Sequence, residues 1–323
     1  MNAERADPRF ELEGRRVWVA GHRGMVGGAL LARLADERCE ILTVDRGDLD
    51  LRRQAAVEDW IGAARPHAVF VAAATVGGIL ANDSRPAEFL YDNLVIETNI
   101  IEAARRVGVA KLVLLGSTCI YPRLAAQPMR EESLLTGPLE PTNQWYAVAK
   151  IAGIKLCDAY RRQYGCDFVS AQPTNVYGPN DNFDLASAHV LAALLRRIHE
   201  ARLSGAAEVP IWGTGRPRRE FLHVADLADA LVYLMHNYSA EGPINIGTGH
   251  EISIGDLARL IAETVGYEGE FHYQTDKPDG TPRKLSDVSR MRALGWTARI
   301  GLDDGLRQTY RWFLDHQAAD GDP

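Results

Sequence analysis

An α/β fold, built as a doubly wound parallel sheet with a smaller C-terminal α/β lobe, is predicted by two observations. Short apolar runs of strand length alternate with longer helical stretches, and the first run leads straight into a glycine-rich turn. The expected strands are residues 16–20, 40–44, 68–72, 111–115 and 168–171, continuous apolar runs of the kind buried on both faces. The helical stretches between them include residues 25–36, 87–107 and 146–164, the last carrying Ile151, Ile154, Leu156 and Cys157 within an otherwise polar segment. Right-handed crossovers stack such units into one parallel sheet with helices on both sides. After Pro179 the pattern changes to a helix at about 187–203, followed by Pro- and Gly-rich connections and short elements up to Phe313. No internal repeat or low-complexity segment interrupts the chain.

The 323 residues and 46% hydrophobic content suit a large, well-buried core. A net charge of -7 offers no general attraction to polyanions, so neither nucleic acid nor a membrane surface is an expected partner. Cys39, Cys119, Cys157 and Cys166 fall in no metal-ligand spacing, and no metal is expected. The start, Met1-Asn2-Ala3-Glu4-Arg5, is polar and lacks a secretory pattern, which points to the cytoplasm. No apolar stretch approaches the ~18 to 20 residues that cross a bilayer.

The first strand runs into Gly21-His22-Arg23-Gly24-Met25-Val26-Gly27, a GxxGxxG turn opening a helix. Glycine lets the backbone turn tightly against a pyrophosphate, whose charge is favoured by the helix N-terminus. Such a turn also serves as a plain strand-to-helix connection; its place after the first strand, with further βα units behind it, favours a Rossmann-type dinucleotide site. The second strand is expected to end at Val44-Asp45-Arg46. Asp45 suits the ribose diol of NAD(H), whereas Arg23 and Arg46 suit the 2′-phosphate of NADP(H); the latter cofactor is preferred, with Arg46 as a solvated turn charge the alternative. Asp50 and Leu51, within Asp48-Leu49-Asp50-Leu51, and the small Ala72, Ala73 and Ala74 are candidates for adenine and backbone contacts, and equally for ordinary packing. Residues 1–178 are therefore assigned to a dinucleotide-binding domain and 179–323 mainly to a substrate lobe, with a segment at about 222–248 returning to the first domain.

Tyr146 and Lys150 stand one helical turn apart in Tyr146-Ala147-Val148-Ala149-Lys150. A free phenol has a pKa of about 10, and a nearby ammonium draws it down toward useful acid–base range. Tyr146 could instead simply pack while Lys150 is solvated. Ser117, at the end of the strand Leu114-Leu115-Gly116-Ser117, sets the spacing in an active-site context, because such sites gather at the C-terminal ends of parallel strands. There a hydroxyl holds a substrate oxygen while Tyr146 gives it a proton.

Beyond these elements the chain resembles a known family. The glycine turn, Val76-Gly77-Gly78-Ile79, Ser117-Thr118-Cys119-Ile120-Tyr121-Pro122, Leu139-Glu140-Pro141-Thr142-Asn143, Tyr146 to Lys150, Pro173-Thr174-Asn175-Val176-Tyr177-Gly178-Pro179, Arg219-Glu220-Phe221-Leu222-His223-Val224 and Lys277-Pro278-Asp279-Gly280-Thr281-Pro282-Arg283-Lys284 are similar to those of GDP-L-fucose synthases, a group of extended short-chain dehydrogenases/reductases. The resemblance implies an NADPH-dependent, commonly homodimeric enzyme that epimerises C3 and C5 of GDP-4-keto-6-deoxy-D-mannose and reduces its C4 ketone. It implies an acid/base pair in Cys119 and His189 and a reductase triad in Ser117, Tyr146 and Lys150. GDP-sugar contacts are implied at Asn175, Arg197, Trp212, Arg219 and Lys284, and further cofactor contacts at Pro173, Asn175, Val176 and His189. Read without the resemblance, Cys119 is a buried thiol and His189 a helix-surface histidine.

The chain departs from the family pattern at Asp45, at the approach to His189 (Phe183-Asp184-Leu185-Ala186-Ser187-Ala188), and at the bulky Trp145. A related GDP-4-keto-deoxyhexose is therefore an alternative substrate. Arg196-Arg197, Arg216, Arg218-Arg219 and Arg283-Lys284 give the second lobe basic clusters, and guanidinium forks suit a pyrophosphate. A nucleotide-sugar 4-epimerase or 4,6-dehydratase shares the fold, but a dehydratase carries Asp-Glu where Thr118-Cys119 stand. A non-catalytic dinucleotide sensor would have lost Tyr146 or Lys150.

Overall fold

The computed structural model describes residues 9–277 and 279–317; residues 1–8, which include the polar start, residues 318–323 and Pro278 lie outside the described residues. Six parallel strands form the central sheet. β1 (Arg16–Ala20), β2 (Glu40–Leu42), β3 (Ala68–Val71), β4 (Lys111–Leu115) and β5 (Asp167–Pro173) stand in the order 2-1-3-4-5, and the strand Pro243–Ile246 continues the sheet beside β5. Val17, Trp18, Val19, Val69, Phe70, Leu112, Val113 and Leu114 are at most 1% exposed, so these strands are covered on both faces. That is why they read as unbroken apolar runs and not as alternating ones.

The helices that follow are α1 (Met25–Leu34), α2 (Gln54–Ala64), α3 (Ile79–Ser84), α4 (Pro86–Val107), α5 (Gln144–Tyr164), α6 (Val190–Ser204) and α7 (Val224–Asn237). α4 opens on Pro86, where a missing N–H is harmless, and stops at Gly108, whose φ of 77° suits a residue without a Cβ. It lies against α5, and Ile96, Ile100 and Ile101 join Cys157, Leu112 and Leu114 in one core. The chain leaves β1 toward β2 on one side and returns to β3 on the other. This reversal opens a crevice at the C-terminal ends of β1 and β3, where parallel sheets bind ligands.

A second core lies beyond β5. Leu191, Leu194, Leu195 and Ile198 of α6 recur at helical spacing and pack with Val209 and Ile211, with Leu257 and Ile261 of the helix Ile254–Val265, and with Leu306 and Phe313 of the helix Leu302–Gln317. Each such side chain contributes about 1.5–3 kcal/mol through burial. Three short strands, Ile252–Ser253, Arg218–Arg219 and Arg283–Lys284, form a small sheet in that order, which sets Lys284 opposite Arg219. β6 (Asn175–Tyr177) pairs with the strand Phe221–His223, bringing Asn175 beside Phe221.

Several boundaries differ by one to three residues from those read in the sequence, two of them beside the site. β2 stops at Leu42, short of 44, because Asp45 turns the chain: its carbonyl accepts from Asp48 N at 3.0 Å and Leu49 N at 2.9 Å. α6 begins at Val190, not at about 187. Asp184 gathers the preceding residues into a turn, accepting from Ala186 N at 3.1 Å and from Ser187 Oγ at 2.9 Å, and His189 stays extended as the residue before the helix. Among the described residues no helix is long and apolar enough to cross a membrane.

Candidate active site

The glycine turn lies in the β1/β3 crevice. Gly21 has a φ of +88°, and a Cβ there would come within 2.7 Å of the Ala73 backbone. A Cβ at Gly27 would stand 2.1 Å from Gly21 O, so the turn and α1 meet backbone to backbone. At Gly24, by contrast, a Cβ would meet nothing nearer than Gly21 O at 3.5 Å, and no side chain caps the N-terminus of α1. The turn thus presents Met25 and Val26 at the positive end of α1, a cradle with the shape and polarity that a dinucleotide pyrophosphate requires. Ala72, bonded through its N–H to Ala20 O at 3.0 Å, carries Ala73 and Ala74 alongside it.

Asp45 faces the same turn, where its carboxylate is paired with Arg23 and, at 3.2 Å, with His22 Nε2. The carboxylate that would oppose a 2′-phosphate is therefore engaged by two groups of the glycine turn, while Arg46 is exposed next to it. Asp50 is held by Arg52, its Oδ2 accepting from Nη2 at 3.0 Å, and the Arg52 hydrogen bond takes its carboxyl down to about 2. Leu51 O accepts from Asn99 Nδ2 at 2.9 Å. The loop after β6 closes over this end: Asn180 Nδ2 donates to Arg23 O at 3.1 Å, and Gly78 N donates to Ser187 O at 2.8 Å.

Ser117 follows β4 through Gly116, where a Cβ would collide with the Gln172 amide; Gln172 Oε1 instead accepts from Ser117 N at 2.8 Å. Ser117 begins the short 3₁₀ turn Thr118–Ile120, its Oγ accepting from Cys119 N at 3.2 Å. The turn directs the Cys119 thiol at two donors, Asn143 Nδ2 at 3.4 Å and Lys284 Nζ at 3.7 Å. On the facing helix α5, Lys150 Nζ lies 5.6 Å from the centre of the Tyr146 ring. It donates to Leu115 O at 3.0 Å and to Glu97 Oε1 at 2.7 Å.

The acid–base balance of this cluster differs from the expectation of a lowered phenol. Burial pushes Tyr146 up to about 12, outweighing the opposite pull of Lys150, with Cys119 and Glu97 adding to the rise. Tyr146 is thus a protonated group at neutral pH, the state a proton donor needs. Burial alone would lower the Lys150 amine, but the charges of Glu97 and Tyr146 and the Glu97 hydrogen bond hold it above its ordinary value. His189 is exposed just before α6, yet desolvation and then the Lys284 charge lower its imidazole below the ordinary value.

Burial also lowers the Arg219 guanidinium, against the pull of Cys119, Asp279 and Glu140, which places it in the same region. Arg197 stacks over Trp212 at 5.6 Å as a separate pair, and Asn175 Nδ2 donates to Glu220 O at 2.7 Å. Pro173 ends β5 and Val176 lies within β6. Among the described residues no cluster of metal-ligating side chains occurs. Sequence reasoning passed over Glu97, Asn143 and Asn180. The signal for Glu97 was a carboxylate on the apolar face of α4, between Asn93, Ile96, Ile100 and Ile101.

Comparison with known proteins agrees with this geometry. Residues 17–247 match the NAD dependent epimerase/dehydratase family. The chain is 55% identical over 311 residues to a GDP-L-fucose synthase of Sinorhizobium fredii, covering 96% of this chain and 99% of the relative. It is 51% identical over 313 residues to the GDP-L-fucose synthase of Escherichia coli, covering 94% and 98%. Among solved structures, a GDP-L-fucose synthetase from Naegleria fowleri bound to NADP superposes with a TM-score of 0.88 at 29% identity, over 97% of this chain and 98% of that one. With its parallel sheet, glycine cradle and Ser117–Tyr146–Lys150 cluster, the chain belongs to the NAD dependent epimerase/dehydratase family and, within it, to the GDP-L-fucose synthases.

Proposed function

We propose that the chain converts GDP-4-keto-6-deoxy-D-mannose into GDP-L-fucose, inverting C3 and C5 and then reducing the C4 ketone with NADPH. The observation that carries this reading is the convergence of Ser117, Cys119, Tyr146, Lys150 and Lys284 at the C-terminal end of β4. Protons on C3 and C5 are acidic because both carbons flank the ketone. Cys119 removes them, and His189 returns protons from the opposite face. Ser117 and Tyr146 hold O4, where the enolate charge collects. The glycine turn with Arg23 and Arg46 would hold the phosphates of NADPH, which when bound would supply the hydride for C4. Tyr146 then gives its proton to O4, and the charged Lys150 stabilises the phenolate left behind.

Arg197, Trp212, Arg219, Asn175 and Lys284 bind the GDP portion, guanidinium groups being suited to a pyrophosphate. Residues up to 178 and about 222–248 serve the cofactor, and the remainder serves the sugar nucleotide. The enzyme works in the cytoplasm as a homodimer; exposed Tyr91 on α4 and Val148 and Tyr164 on α5 offer apolar surface for such a contact. Incubation with GDP-4-keto-6-deoxy-D-mannose is expected to oxidise one NADPH per sugar converted. A 4-epimerase or 4,6-dehydratase returns the hydride, so sugar conversion without net NADPH oxidation would refute the reading.

A further inference from the structure

Glu97 is the least expected group near the site. It sits on the buried face of α4 at 1% exposure, among Ile96, Ile100 and Ile101, and its Oε1 accepts from Lys150 Nζ at 2.7 Å. Among the described residues its second oxygen, Oε2, has no hydrogen-bond partner. That oxygen is accommodated because the facing residue of α5 is Gly153: a Cβ there would stand 2.1 Å from Oε2 and 3.0 Å from Leu114 Cδ2. A carboxylate with an unsatisfied oxygen in an apolar interface destabilises the fold unless something compensates for it. An isoleucine or leucine would serve the packing better.

The chemistry at Tyr146 explains why a charge stands there. When Tyr146 gives its proton to O4, a phenolate is left, and the adjacent positive group is Lys150. A fully buried lysine tends to shed its proton. Leu115 O offers Lys150 a dipole but no charge. The titratable groups around the pair are Glu97 from α4, Tyr146 and Cys157 from α5, and Cys119 from the 3₁₀ turn. Glu97 is the one that hydrogen-bonds the amine; burial raises its carboxyl above the ordinary value, and the charge and hydrogen bond of Lys150 oppose that rise.

We propose that Glu97 is a positioning residue for ketone reduction: it keeps Lys150 charged and aimed at Tyr146, and Gly153 is the space that lets it do so. Its negative charge also tempers the pull of Lys150 on Tyr146, adding to the burial that keeps the phenol protonated. The inference rests on the reductase reading above and adds to it the source of the Lys150 charge.

Without Glu97 the Lys150 amine loses its proton at lower pH, and reduction, which needs the charged amine, is present below that point and lost above it. In Glu97→Gln the basic limb of kcat for NADPH oxidation is expected to move down by about one pH unit or more, with KM for the keto-sugar changed less than about twofold. Glu97→Asp, which retains the charge, should keep the limb near its wild-type position. A second readout needs no turnover: Lys150→Met leaves the buried Glu97 carboxyl without its cation and should melt several degrees below the wild-type protein, and Glu97→Gln/Lys150→Met should recover most of that loss while remaining inactive. This double variant also carries the test if Glu97→Gln alone does not fold. An unmoved limb in Glu97→Gln, or a double variant melting no higher than Lys150→Met, overturns the proposal. If Tyr146→Phe is inactive in the same assays, only the role of Glu97 has failed; if it too turns over normally, the reductase reading has failed with it.

Discussion

Tyr146→Phe is expected to lower kcat for NADPH oxidation by roughly 10²- to 10⁴-fold, the usual worth of a positioned proton donor. The ring remains beneath Lys150 and the helix α5 is untouched, so what disappears is one O–H. That group is protonated at neutral pH because burial holds its pKa near 12, and it acts only as O4 gains charge. Binding of keto-sugar and NADPH should therefore persist, and the loss should fall on kcat and kcat/KM together. Steady-state kinetics beside a cofactor-binding titration checks both halves. Near wild-type turnover in the Phe variant would remove Tyr146 from the mechanism.

Cys119→Ser is expected to suppress deuterium uptake at C3 and C5 by about 100-fold or more in heavy water, because a hydroxyl is a far weaker acid than a thiol and yields almost no anion to act as base. The substitution is nearly isosteric. Serine can still accept from Asn143 Nδ2 and Lys284 Nζ, and Ser117 can still accept from the backbone N–H at position 119. NADPH affinity should therefore be unchanged, and reduction should continue slowly without inversion, giving a D-configured deoxyhexose. His189→Asn tests the other face of the sugar by the same readout. Deuterium uptake equal to that of the wild-type protein in Cys119→Ser would leave the thiol as packing.

The fold was legible because its elements obey local rules. β1 and β4 are continuous apolar runs, α1 opens on glycines, and α4 and α5 end on Gly108 and Gly165 in the left-handed conformation. The placement of Ser117 and the Tyr146–Lys150 spacing were legible for the same reason, each being set by one strand end or one helical turn. What escaped the sequence depends on residues far apart in the chain. Arg23 meets Asp45, Lys284 reaches Cys119 from 165 positions away, and Glu97 finds Lys150 across 53. No local pattern encodes such pairs. The direction of the Tyr146 shift was likewise hidden, since the YxxxK spacing reveals the attraction of Lys150 but not the burial that outweighs it.

Product analysis after conversion of GDP-4-keto-6-deoxy-D-mannose with NADPH in heavy water tests most directly whether one pocket carries out both inversion and reduction. The expected product is GDP-L-fucose carrying deuterium at C3 and C5, with hydrogen from NADPH at C4. A D-configured product with no deuterium at C3 and C5 would contradict it.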